Sequence, residues 1–344
     1  MTADAPDTAV AELHAGQLIV EAHRDCYEQI HLLNSGEADP IGGHLLPRLR
    51  AGGVDVVIYA VGGDSIAHSN GRDKRLLATL ENMAALRELL ERSSGGASIA
   101  TARADIPKRP DGTIRFVLHL EGGGPLEGSL AVLDAMYRLG VRSIQPAWNL
   151  RNELADGVRE TDTGGGLTRF GVGVLGEMEA RGMLIDLAHI SESGFWHSLR
   201  CTSGPLAVTH ANAKAVHDHP RNISDDQIRA IAERGGVVGA HALPAFVDES
   251  QPTIDRLVDH IAHMVEIAGI AHVGLGCDFI RNDGPRSGRE QIPARVVEEL
   301  EDFGEIDELP NLTAALLQRG FEAPEVAAIL GGNFARLLGA VLPA

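Results

Sequence analysis

A chain of 344 residues with 44% hydrophobic side chains can bury a large core, which excludes wholesale disorder. Lys and Arg number 30 against 48 Asp and Glu, a formal charge of −18, so neither nucleic acid nor an anionic membrane surface is an expected partner. The three cysteines, Cys26, Cys201 and Cys277, are too scattered for a disulfide framework or a zinc-finger pattern. The N-terminal Met-Thr-Ala-Asp-Ala-Pro-Asp has no basic or apolar leader, and no window reaches the ~18 uninterrupted apolar residues of a membrane helix. The expected location is the cytoplasm.

In chain order, residues 18–25 read as a short strand ending in His23-x-Asp25, whose side chains share one strand face. A second strand is expected over 53–60. An amphipathic helix over 74–92 carries Leu76, Leu77, Leu80, Met83, Leu86 and Leu89 at helical spacing. The strand at 114–121 ends in Glu121, followed by three glycines. A helix over about 126–139 and a strand over 141–147 precede a long polar loop, 148–166, able to overhang a site. A helix over 169–181 takes Thr168 as its N-cap.

Two apolar runs come next, Gly182-Met-Leu-Ile-Asp-Leu-Ala-His189 and Pro205-Leu-Ala-Val-Thr-His210, each ending in histidine. Such runs read as buried strands of a parallel sheet, here separated by a helix over 191–200. Ser224-Asp-Asp-Gln227 is a capping box opening another helix. A strand over 235–241 ends in His241, a helix spans 253–268, and a strand over 272–278 ends in Asp278. The C-terminal part is helical through 312–317 and 324–330. Strand–helix alternation without a composition break predicts a single (β/α)₈ barrel of TIM type over 1–344, with the C-terminal helices packed on it. The glycine runs at 122–124 and 164–166 lack the spacing of a phosphate loop.

In such a barrel the C-terminal strand ends meet at one rim, where the chemistry is kept. His23, Asp25, Glu121, His189, His210 and Asp278 would meet there. A lone strand-end histidine is more often a structural residue, and Asp25 or Asp278 alone could cap a turn. Six N and O donors gathered and buried together are costly without a cation, and the mixture suits zinc, with manganese or cobalt as alternatives. For two ions a carboxylate must bridge, and Glu121 is the natural choice. His119, two residues earlier on the same strand face, is the rival ligand and is read as a supporting residue. His241 faces the same rim. The other histidines, in loops, helices or strand beginnings, are expected to be solvated or packed.

The chain resembles the membrane dipeptidase (renal dipeptidase) family of binuclear zinc peptidases. The matching motifs are His23-x-Asp25, Glu121-Gly-Gly, Leu139-Gly-Val-Arg142, Gly166-Leu-Thr-x-Phe-Gly171, Gly182-Met-x-x-Asp-Leu-x-His189, Thr209-His-x-Asn212, Pro220-Arg-Asn222, Gly235-Gly-Val, Gly274-x-Gly-x-Asp-Phe279 and Gly331-Gly-Asn-x-x-Arg336, in the family's order across nearly the whole chain. The resemblance implies a metal-dependent hydrolase barrel with His23 and Asp25 on one divalent ion, His189 and His210 on the other, and Glu121 bridging. It also implies a hydroxide held between the ions as nucleophile, Arg221 on the substrate carboxylate, and Asp278 moving the proton from water to the leaving amine.

Two positions depart from the family. Trp148, in Pro146-Ala-Trp-Asn149, stands where a carbonyl-polarising histidine is usual, and Arg24 stands where asparagine is usual between the first two ligands. Trp148, Asn149, Arg24 and Arg221 are therefore the expected substrate contacts, with Asp278 and His241 catalytic; His241 would donate to the oxyanion in place of the missing histidine. The expected activity is hydrolysis of a dipeptide with a free C-terminal carboxylate. The alternatives are a specialised hydrolase of a non-standard amide or amino-acid conjugate, and a metal-binding relative without turnover. The expected partner is a small molecule, and a homodimer is compatible with the sequence.

Overall fold

The computed structural model describes residues 8–64, 74–92, 96–279, 299–300 and 303–344, without the side chains of residues 27, 28, 31 and 161. His68, one of the histidines expected to be solvated or packed, and residues 93–95, just after the expected 74–92 helix, lie outside the described residues.

Among the described residues there are nine strands: β1 (Ile19–Asp25), β2 (Val54–Gly63), β3 (Ala97–Ile99), β4 (Ile114–Glu121), β5 (Val141–Gln145), β6 (Leu184–Ile185), β7 (Ala207–Val208), β8 (Val237–Ala240) and β9 (Val273–Leu275). Eight of them run in the order β6-β5-β4-β2-β1-β9-β8-β7, with parallel pairing throughout. The ring closes between β6 and β7 through the parallel bridge of Asp186 with Ala207 and the Leu187 N–H to Ala207 carbonyl bond of 2.8 Å. This is a (β/α)₈ barrel of TIM type. Strand β3 lies outside the ring, pairing only with the start of β4.

The strands are apolar because both of their faces are covered. Every residue of β2 is buried, and so is every residue of β1 before Asp25. Helices connect the strands as expected. The helix Arg169–Arg181 starts at Thr168, whose Oγ1 accepts from the Gly171 N–H at 3.0 Å, and Ser224 and Gln227 form the capping box of Asp225–Glu233. The C-terminal helix Asn333–Val341 sends Phe334, Leu337 and Leu338 against the N-terminal halves of the strands. It closes the end opposite the rim.

The apolar runs ending in His189 and His210 are longer than the ladders they form, two residues each in β6 and β7. Beyond those pairs the chain leaves the sheet and turns its polar side chains inward. Glycine makes room at one such place: a Cβ on Gly276 or Gly239 would lie 1.8 Å or 2.0 Å from the Thr209 carbonyl oxygen, so only bare backbone lets the 209–210 segment settle between β8 and β9.

Among the described residues, no helix is long and apolar enough to cross a membrane.

Candidate metal centre

The C-terminal ends of β1 and β4, and the turns after β6, β7 and β9, deliver five N and O donors and Asp278 to one buried point. His23 sits at the centre. Its Nε2 lies 3.7 Å from Asp25 Oδ1, 3.5 Å from Glu121 Oε1 and 3.7 Å from Asp278 Oδ1. Glu121 Oε1 is also 3.2 Å from His189 Nε2 and 3.7 Å from His210 Nε2. Three sets of donors lie close enough to share an ion: His23, Asp25 and Glu121; Glu121, His189 and His210; and His23, His210 and Asp278. Glu121 is common to the first two.

The two later imidazoles have their tautomers set from behind. His189 Nδ1 donates to Asn149 Oδ1 at 3.0 Å. Thr209 Oγ1 gives its proton to Asp186 at 2.6 Å and so accepts from His210 Nδ1 at 2.8 Å. Asp186, fully buried, is in turn held by the Thr209 and Ala188 N–H groups at 2.9 and 3.0 Å. Both imidazoles then turn an unprotonated Nε2 inward, and these atoms face each other at 2.9 Å. Two opposed lone pairs call for a cation, and this orientation from behind is usual for metal-binding histidines.

The electrostatics point the same way. Burial, and then Asp25, push the Glu121 carboxyl well above its ordinary range; burial also raises Asp25. Burial alone would lower His23, yet the facing carboxylates of Asp25, Asp278 and Glu121 together raise it to about 10. Burial depresses His189 and His210 strongly, which keeps them neutral and available as ligands. The carboxylate cluster draws positive charge into itself. In addition His23 Nε2, Asp25 Oδ1 and Asp278 Oδ1 are buried without a hydrogen-bond partner among the described residues. A divalent cation fits this donor set.

Asp278 is the carboxylate that stays ionised. Burial would raise it, but the bond from His241 and the charges of His23, His241 and Arg221 outweigh burial and lower it. Asp278 and His189 both hold left-handed backbone, at φ 54° and 61°, a conformation that L side chains adopt rarely.

Around this centre the expected substrate residues fall in different places. Arg221 is 6% exposed, donates through Nη2 to the His210 carbonyl at 3.1 Å, and stacks its guanidinium 5.6 Å from the Phe246 ring. Burial lowers it to about 10, so it stays cationic at neutral pH. Trp148 is half-buried with its ring 5.8 Å from that of His189, and its backbone N–H donates to Asp64 Oδ2 at 3.1 Å. Arg24 is not brought to the rim. Strand alternation turns it away from His23 and Asp25, and Glu305 takes its guanidinium at 2.8 and 3.3 Å. His241 Nε2 is bonded to Asp278 Oδ2 at 3.1 Å. His119 lies behind His23, bonded to Ser143 at 2.9 Å, with its Nε2 3.8 Å from Asp186.

A family model described as membrane dipeptidase (peptidase family M19) matches residues 8–343. The chain belongs to that family. This M19 chain is 34% identical over 269 residues to an uncharacterized Klebsiella pneumoniae protein in the pqqA 5' region, covering 75% of the chain and 94% of that protein. It is 29% identical over 268 residues to the dipeptidase verJ of Clonostachys rogersoniana, spanning 77% of the chain and 66% of that enzyme. A solved amidohydrolase from Pseudomonas aeruginosa superposes with a TM-score of 0.82 at 24% identity, covering 97% of this chain and 99% of that one. A metallo peptidase from Rhodobacter sphaeroides, solved with a phosphinate mimic of the dipeptide L-Ala-D-Ala, gives 0.81 at 22% identity, with 95% and 99% covered. These two likenesses establish the shared barrel. M19 membership makes the chain a metal-dependent hydrolase of peptide bonds with a small-molecule substrate.

The residues that the sequence reading passed over are the ones behind the ligands. Asp186 and Thr209 stand inside the quoted motifs ending in His189 and Asn212. Their spacing, Asp186 three residues before His189 and Thr209 one before His210, is the signal that could have found them. Asp64, Phe246 and Glu305 carried no such signal.

Proposed function

We propose that this M19 chain hydrolyses dipeptides carrying a free C-terminal carboxylate, using two divalent ions, zinc in the native protein. The observation that carries the reading is the sharing of Glu121 between two complete donor sets, His23–Asp25 on one side and His189–His210 on the other. A single-ion site has no use for the second set. Bound ions of this kind lower the pKa of water to about 7, so the nucleophile is available at neutral pH.

The chain's own residues do the rest. Asp278, ionised and with Oδ1 facing the centre, takes the proton from the attacking water and passes it to the leaving amine. Arg221, a buried guanidinium beside that centre, takes the substrate carboxylate on its two-pronged face. Asn149 and Asp186, through Thr209, hold the imidazoles in place. Trp148 forms a wall beside His189 and favours a substrate with an apolar surface there, which also supports the reading as a hydrolase of a specialised amide.

A panel of L-Xaa-L-Xaa and L-Xaa-D-Xaa dipeptides, each offered free and C-terminally amidated, tests this. The free acids should be cleaved, and amidation should cost about 10–100-fold in kcat/KM, the worth of one charged hydrogen-bond pair. Equal turnover of both forms would remove Arg221 from carboxylate binding. Turnover of none of them, with non-peptide amides cleaved, would favour the specialised hydrolase.

A further inference from the structure

The ring of His241 is fully buried, so its surroundings fix what it can do. Its main chain is pinned twice by Asn212, which accepts from the His241 N–H at 3.0 Å and donates to the His241 carbonyl at 2.8 Å. The imidazole is then clamped between the His210 ring, 5.2 Å away and perpendicular, and the Phe246 ring at 4.8 Å. From this slot Nε2 meets Asp278 Oδ2 at 3.1 Å, while Nδ1 is buried without a partner among the described residues.

A carboxylate accepts and does not donate, so the proton of this contact is on Nε2. A neutral imidazole has only one N–H, and this one has it aimed at Asp278. None is left for a developing oxyanion. The two oxygens of Asp278 are thereby made unequal: Oδ2 is occupied, and Oδ1 is free and turned toward the centre, 3.7 Å from His23 Nε2. The left-handed turn at residue 278 brings the carboxylate to the slot but leaves its rotation about the Cβ–Cγ bond unset.

The geometry points to His241 as the positioning residue of the proton carrier: it holds one oxygen of Asp278 so that the other is presented to the attacking water. This rests on the dipeptidase reading for its kinetic consequence, though not for its structural one. It also replaces the expectation of an oxyanion donor at this position with a role through Asp278.

Four readouts decide it. Nitrogen-15 NMR of histidine-labelled, metal-loaded protein should show His241 as the Nε2–H tautomer; a proton found on Nδ1 overturns the assignment whether or not any dipeptide is cleaved. His241→Met, which keeps bulk without a donor, should lower kcat by about 10–100-fold, the usual cost of losing such a support, with metal content and KM unchanged. His241→Gln, whose amide nitrogen reaches the same place, should recover most of that loss. In an Asp278→Asn background His241→Met should change kcat by less than about threefold, since groups acting as one unit are not additive. Losses that multiply in the double variant would put His241 on the substrate instead, and loss of metal from His241→Met would make it a support of the ligands; either result sinks the proposal. A wild-type protein inert on every dipeptide defeats the dipeptidase reading, while the NMR result still decides the Asp278 contact.

Discussion

Asn149 Oδ1 accepts from His189 Nδ1 at 3.0 Å, and that one bond decides which nitrogen of the imidazole faces Glu121. Asn149 itself comes from the loop after β5, whose backbone is tied to Asp64 through Trp148. Loss of the bond frees the ring to rotate and to protonate the wrong nitrogen. Asn149→Ala should weaken binding of one ion about 10–100-fold and leave the other nearly untouched. Calorimetric titration with zinc would show this as one displaced phase out of two, and a uniform loss would contradict it.

Glu121 has a different signature because it belongs to both donor sets. Glu121→Ala should strip most of both ions, measured by mass-spectrometric metal analysis after gel filtration. A variant retaining a full complement would mean that Glu121 does not bridge.

Asp278→Asn preserves the shape of the proton carrier but takes away its basicity. It should keep its metal and lose about 10²–10⁴-fold in kcat, the range for a general acid–base group. Near wild-type turnover would assign proton transfer to another residue.

Glu305 joins residues far apart in the chain, accepting from Arg24 at 2.8 Å and from Arg48 at 3.3 Å. Burial raises its carboxyl, but Arg24, the Ile306 N–H and Arg48 outweigh burial and hold it below its ordinary value of 4.5. A depressed carboxyl contributes stability that is present above the unfolded pKa and lost as pH falls through the folded one. Glu305→Gln should therefore flatten the acid limb of the stability curve below about pH 4.5 and cost on the order of 1–3 kcal/mol at neutral pH, because buried Arg24 loses the carboxylate that meets both of its Nη atoms. Urea unfolding at pH 3.5 and pH 7 measures both. An unchanged difference between the two pH values would contradict it.

The strand at 114–121 and the helix at 169–181 were readable to the residue, since an apolar run closed by Glu121 and a Thr168 cap are local signals. The runs ending in His189 and His210 misled in length, though not in destination. Apolar composition does not distinguish strand from the buried turn that follows it, and here the turn carries Asp186 and the left-handed His189. Strand β3, at three residues, is too short for any periodicity to register. Which residues reach the rim was legible from strand ends. Which partner holds each was not: Arg24 meets Glu305 across 281 positions, and His241 meets Asp278 across 37. Such pairings exist only once the barrel is closed.

The left-handed backbone at His189 and Asp278 bears on what this chain is kept for. Such a conformation costs a non-glycine residue about 1–3 kcal/mol, and glycine would adopt it without strain. A glycine at position 278 would remove both the strain and a buried charge. An aspartate at 278 carries strain that glycine would relieve, and it keeps a carboxylate within reach of both His23 and His241.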